Sequence, residues 1–177
     1  MRKSFLTFIA AATPLLAQTQ QAVPANAGVS SAKAVWMVPH NFVVMTVEQT
    51  PESLFTFKPT PEVRALGQLF AHVSDGENLF CALALGEPMP NPFDVNEKSK
   101  KTKTEILAAL KASAAHCDKA YAQTDAQGQI PADFFGQKVN RAFLLGMNGA
   151  HDYEHYGNMV TYLRLKGIVP PSSQPQK

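Results

Sequence analysis

A chain of 177 residues with 45% apolar and 17% charged side chains can fill one well-packed core and is too short for two comfortable domains. Its formal charge is +2, and setting aside Arg2 and Lys3 in the leading segment takes the 16 basic residues to 14, which balance 14 acidic ones. A neutral body with no basic stripe argues against nucleic acid as a partner.

The chain opens with Met-Arg-Lys, an apolar run from Phe5 to Ala12, and Thr-Pro-Leu-Leu-Ala. These are the charged, apolar and small-residue parts of a secretory signal peptide over residues 1–17, with cleavage expected after Ala17. Ala25-Asn26-Ala27 offers a second small-x-small stop farther from the apolar run. About 13 apolar residues cannot cross a hydrocarbon core that needs about 20, so no stable membrane span is expected after cleavage. The expected location is outside the cytoplasm, periplasmic or secreted. Residues 18–30 read as a mobile N-terminal segment.

Four helical blocks follow, with almost no strand signal. The first runs from about Ser31 to Glu48, anchored by Trp36, Phe42, Val43 and Val47, with Pro39 expected to kink or break it. Thr60-Pro61-Glu62 places a capping residue before a proline and predicts the start of the second block, which runs to Leu85 and stops at Gly86 and Pro88. Residues 86–101 form a connection rich in Pro, Asn and Lys. At about 3.3 Å per extended residue it is long enough to return along a helix of roughly 35 Å, so the second and third blocks can run parallel.

Thr102 and Glu105 make a capping-box pattern that starts the third block, predicted to reach about Thr124. The fourth begins between Asp133 and Lys138 and ends at Gly167, with Pro170-Pro171 barring continuation. The domain is thus expected over 31–170, with a mobile tail at 171–177. In an oxidising compartment Cys81 and Cys117 are candidates for a disulfide, and parallel helices would place them at comparable heights. Two separate buried thiols remain the other reading.

Helix periodicity of about 100° per residue puts His151 and His155 one turn apart on a stripe shared with Leu144, Met147, Asn148, Asn158 and Tyr162. Their side chains originate about 6 Å apart, which suits two ligands of one ion. His72 interrupts an otherwise apolar face of the second block made by Ala65, Leu69, Gly76, Leu79 and Leu83. A buried imidazole needs partners for its nitrogens, and this face offers none of its own. His72, His151 and His155 are therefore the candidate metal ligands, while His40 and His116 read as structural. His151-Asp-Tyr-Glu-His155 lacks the arrangement of the zinc-protease helix. Neither Asp152 nor Glu154 is assigned as a general base, and the catalytic residues stay unknown.

The single histidine of the second block, the long second connection, and above all the ending from Ala150-His-Asp-Tyr-Glu-His through Gly-Asn-Met-Val-Thr-Tyr to Lys-Gly-Ile-Val-Pro-Pro resemble the DinB-like superfamily. The resemblance spans about residues 31–173. It implies an all-α four-helix bundle of up-down-down-up topology with a long crossover between helices two and three. It also implies a divalent metal ion, zinc, nickel or iron, held by His72, His151 and His155, and a homodimer. Relatives in that family include transferases that use low-molecular-weight thiols such as bacillithiol or mycothiol, and metal-dependent hydrolases. A signal peptide would carry this chain away from those cytosolic thiols, so thiol transfer is not inherited. Two functions follow: an exported metal-dependent hydrolase or transferase acting on a small molecule, or a non-catalytic metal- or ligand-binding bundle.

Overall fold

The computed structural model describes residues 26–175, so the proposed signal peptide lies outside the described residues. The main elements are helices α1 (Ala27–Gln49), α2 (Leu66–Leu85), α3 (Val95–Ser99), α4 (Lys103–Ala120), α5 (Asp125–Gly128) and α6 (Arg141–Leu165), with strands β1 (Pro131–Phe134) and β2 (Gln137–Asn140). Among the described residues the fold is all-α apart from this one hairpin, as the periodicity and resemblance imply.

Cross-helix pairs give the topology. Glu77 meets Ser113 and Cys81 meets Cys117, so positions advance together along α2 and α4, which run parallel. Phe42 stacks on Tyr156 and Trp36 backs onto Gly149, so α1 and α6 are parallel as well. Lys33 pairs with Asp118 while Lys103 reaches the Glu48 carbonyl, which sets α1 against α4. Tyr162 bonds the Arg64 carbonyl and Asn148 approaches Cys81, which sets α6 against α2. The order is up-down-down-up, and residues 86–102 carry the crossover.

Several boundaries differ from the sequence reading for identifiable reasons. Helix α1 already starts at Ala27, because the Asp125 carboxylate accepts from the amides of Gly28 (3.1 Å) and Val29 (2.9 Å) while the Asn26 side chain accepts from Asp125 N (3.0 Å). This cap comes from a distant part of the chain. The helix runs unbroken through Pro39, a buried residue within it.

Helix α2 starts at Leu66 rather than at Pro61. The amides of Leu66 and Gly67 donate to the carbonyls of Phe57 and Phe55, and the Gln68 side chain accepts from Ala65 N. A folded-back loop thus takes over the first-turn donors that Thr60 was expected to serve. The Thr102–Glu105 box is present, but α4 stops at Ala120 and Thr124 caps the short α5 instead.

Where the fourth block was expected to begin, residues 131–140 form an antiparallel hairpin. Its turn has both central residues at positive φ, Phe135 (51°) and Gly136 (81°), the geometry that matches strand twist in a two-residue loop. Asn140 then caps α6 by accepting from Phe143 N at 2.8 Å. Residues 171–175 are docked: Tyr156 and Ser172 exchange hydrogen bonds at 2.8 and 2.9 Å, and Gln174 bonds Gln49 at 2.8 Å.

The apolar core comes in two parts. One gathers Val43, Val47, Phe70, Ile106, Leu110, Met159 and neighbours, and the other gathers Val29, Trp36, Phe80, Tyr121, Leu144, Leu145 and the Cys81–Cys117 disulfide. Between them each long helix contributes a polar residue at mid-height: His40 on α1, His72 and Glu77 on α2, Ser113 on α4, and His151, Asp152 and His155 on α6. A polar belt across a bundle costs stability unless its members are partnered, which makes this belt the candidate site.

Candidate metal centre

Helices α2 and α6 bring the three predicted histidines to one point. His151 Nε2 lies 3.3 Å from His72 Nε2 and 3.1 Å from His155 Nε2, and the rings of His72 and His155 are 4.7 Å apart at their centroids. The i, i+4 spacing stacks His151 and His155 on the inner face of α6. Gly76 makes room opposite: a Cβ there would sit 2.2 Å from His151 Cε1. The glycine is what allows the imidazole to lie against the backbone of α2.

The donor set fits a divalent ion. Tetrahedral coordination at about 2.0–2.1 Å from nitrogen gives ligand–ligand separations of about 3.3 Å. Imidazoles alone do not settle this arrangement, because the one Nε2 of His151 faces two others and a single proton or lone pair cannot satisfy both. A cation on three converging lone pairs does. All three rings are held neutral, the form that ligates. Burial pushes His151 down to about 3 and His155 down to about 4, with the other imidazoles and Arg64 adding to the effect. Burial and Arg64 also lower His72, against an opposing pull from Glu97.

Behind the triad stands a shell that the sequence reading did not assign. Glu97, on α3, places Oε2 at 2.9 Å from His72 Nδ1, though out of line for a full hydrogen bond, and accepts from Arg64 Nε on Oε1 at 2.9 Å. Its position is set by Asp75, whose carboxylate accepts from the amides of Asn96 (3.0 Å) and Glu97 (2.8 Å). Asp152 Oδ1 lies 3.5 Å from His151 Nδ1. Such carboxylate–imidazole contacts fix ring orientation and raise ligand basicity.

Asp152 also abuts a second buried cluster. Glu77, fully buried, accepts from Trp36 Nε1 at 3.1 Å, from Ser113 Oγ, and from His40 Nδ1 at 2.6 Å. Burial works against a charge on His40, but its hydrogen bond to Glu77 and the Glu77 charge outweigh that and raise its pKa. Burial, together with the nearby Glu77, drives the Asp152 carboxyl well above its ordinary value. His40, read as structural, thus belongs to the polar belt. His116 is remote from it and pairs with Glu87 at 2.8 Å. The signal for Glu77 was available: it and Asp75 are the only acidic residues in the 20-residue α2.

The triad opens at His155 into a cleft of about 550 Å³, lined by Arg64, Leu69, Glu97, Glu154, Asn158 and Tyr162 among others. Glu154, set aside from the stripe in the sequence reading, sits at this mouth and is exposed.

A histidine-lined bundle of up-down-down-up topology is a recognisable class of helical protein. The family model described as the DinB superfamily matches residues 41–159, and the chain belongs to that family. A DinB-like protein from Bacillus cereus superposes with a TM-score of 0.66 at 15% identity, covering 80% of this chain and 95% of that one. A DinB-like protein from Bacillus subtilis gives 0.64 at 20% identity, covering 82% and 99%. The mycothiol-dependent maleylpyruvate isomerase gives 0.61 at 15% identity, covering 82% and 78%. At these identities the likeness is one of fold. No curated protein matches the sequence.

Proposed function

We propose that this protein is an exported DinB-family metalloprotein in which His72, His151 and His155 hold one divalent ion, and that it acts on a small molecule as a metal-dependent hydrolase or transferase. The observation that carries the reading is the convergence of the His72 and His155 Nε2 atoms on His151 Nε2, at 3.3 and 3.1 Å, beside an open cleft. A nitrogen-only donor set suits zinc, nickel or iron. When bound, the ion supplies Lewis acidity toward a nucleophile or a polarised substrate group. The chain's own part is to hold the three rings in position: Glu97 against His72, Asp152 and Gly76 against His151. Access at His155 favours an enzyme over a closed structural site, which would have no such mouth.

Export is supported by the leading sequence and by the Cys81–Cys117 disulfide, a bond that persists in oxidising compartments. Among the described residues no helix is long and apolar enough to cross a membrane. Thiol-dependent chemistry, named for one structural neighbour, is not carried over, because an exported chain would not meet a cytosolic thiol pool.

The test is elemental mass spectrometry on protein purified without a histidine tag, beside His72→Ala and His151→Ala. One ion per chain in the wild type, lost in both variants with helicity retained, is the expected result. A wild type that cannot be metallated would reassign the histidines to the polar core.

A further inference from the structure

The polar belt holds a second group of potential ligands besides the triad. One oxygen from each of Glu77 and Asp152 and one ring nitrogen of His40 all lie within 4.8 Å of one another. Both carboxylates are fully buried, and two buried acceptors set this close need a positive charge between them, a proton or a cation. The donors at hand are spent on Glu77: Trp36 Nε1 at 3.1 Å, Ser113 Oγ, and His40 Nδ1 at 2.6 Å. Asp152 divides its oxygens. Oδ1 lies 3.5 Å from His151 Nδ1, while the buried Oδ2 has no hydrogen-bond partner among the described residues. Buried oxygens are nearly always met by a donor, so one left over marks a place for something the chain itself does not supply.

Spacing, chemistry and access point to a metal ion. Ligand atoms of an octahedral ion at about 2.1 Å stand about 3.0 Å apart as neighbours and about 4.2 Å apart across the ion, a span comparable to that of this cluster. The His40–Glu77 contact has to open by a few tenths of an ångström. On loading, the proton on His40 Nδ1 leaves to solvent and the nitrogen turns from donor to ligand. Two carboxylates and one imidazole make a harder set than three imidazoles, and suit manganese(II) or iron(II) better than zinc or nickel. Entry need not pass the triad. His40, the one member not fully buried, borders a separate cleft of about 530 Å³ between α1 and α4.

We propose that His40, Glu77 and Asp152 form a second divalent-cation site, with Trp36 and Ser113 holding the Glu77 carboxylate and Asp152 joining the site to the triad through His151. The proposal stands on these residues and does not depend on the triad being metallated.

Trp36 is the only tryptophan of the chain and its indole N–H lies on Glu77, which makes its fluorescence a local reporter. Manganese(II) is titrated into wild type carrying one equivalent of zinc, and into zinc-free His72→Ala, which removes a triad ligand and none of these three. Trp36 emission and the electron paramagnetic resonance of unbound manganese are read together. Zinc, with its filled d shell, does not quench. The expected result in both proteins is one manganese bound per chain, with Trp36 quenched in step. Adding His40→Ala or Glu77→Gln to either background should weaken that binding by at least the roughly 10–100-fold that losing an outer-shell partner costs. Glu77→Gln keeps the side-chain shape and an acceptor for Trp36, so it carries the test should His40→Ala not fold. No manganese bound in either background overturns the proposal and gives the carboxylate pair a shared proton instead. Binding that leaves Trp36 emission unchanged, or that keeps wild-type affinity in the folded variants, overturns it in favour of exposed carboxylates. A chain that takes up no zinc removes the triad reading alone, since the His72→Ala titration still decides this one.

Discussion

At the scale of single residues, the site depends on two kinds of accommodation: space beside His151 and neutrality of the three rings. Gly76→Ala tests the first. Its new methyl would stand 2.2–2.9 Å from three atoms of the His151 ring, so the imidazole must leave the convergence point. Metal affinity, read by chelator competition, should fall about 10–100-fold, with helical circular dichroism retained.

The second is a pH argument. His155 is held down to about 4 and His151 down to about 3, chiefly by burial. For a group whose folded pKa is depressed, stability is fully present above the unfolded value of about 6.5 and is lost as pH falls toward the folded one. His40 and Asp152, raised by their surroundings, run the other way and lose their contribution as pH rises through their folded values. The histidine contribution is isolated by difference. Metal-free His155→Phe should gain thermal stability relative to metal-free wild type as pH drops from 6.5 to 4. A constant difference in Tm would mean that His155 is not held neutral.

At the scale of elements, α3 is five residues long and has no stability of its own, yet it carries Glu97 to His72. Asp75 anchors it from α2 through two backbone amides. Asp75→Ala should therefore release residues 95–99, visible as lost hydrogen-exchange protection at Asn96 and Glu97, and weaken metal binding about tenfold through His72. Asp75→Asn should fall between, because an amide retains one acceptor oxygen of the two. Equal metal affinity in all three proteins would detach α3 from the site.

This element also shows where the sequence stops being legible. The four long helices and the inward stripe of His151 and His155 follow from 3.6-residue periodicity and from local signals such as the Thr102–Glu105 box. Helix α3 and the Asp125 cap of α1 are made by partners 22 and 96 residues away, and the loop cap of α2 by carbonyls 9 and 12 residues back, which no capping pattern encodes. The hairpin at 131–140 was missed for a different reason. Its strands are four residues each, too short for the alternation of β1 to stand out, and β2 does not alternate, leaving Phe135-Gly136 as the one turn signal. Glu77 and Asp152 were readable as acids on faces that had to be buried, but their mutual contact required knowing that α1, α2 and α6 meet at one height.

At the scale of the molecule, the polar belt divides the apolar core in two, and each half must hold the helices against it. The upper half of the problem is met by packing alone, around Phe70, Ile106 and Met159. The other half carries the Cys81–Cys117 bond, which ties the parallel pair α2 and α4 one turn beyond the Glu77–Ser113 contact. The bond closes a segment of 36 residues, and on the chain-entropy account such a loop restricts the unfolded chain by about 4 kcal/mol. Since α2 supplies His72 and α4 supplies none of the triad, loosening that pair should lower global stability more than it alters the metal geometry. The double variant Cys81→Ser, Cys117→Ser should thus shift denaturant midpoints by an amount worth about 2–4 kcal/mol. Its metal-loaded cobalt spectrum should match the wild type under native conditions. A normal midpoint would show that the unfolded chain gains little from being unlinked, whereas a changed cobalt spectrum at full helicity would make the disulfide part of the metal scaffold and not only a restraint on unfolding.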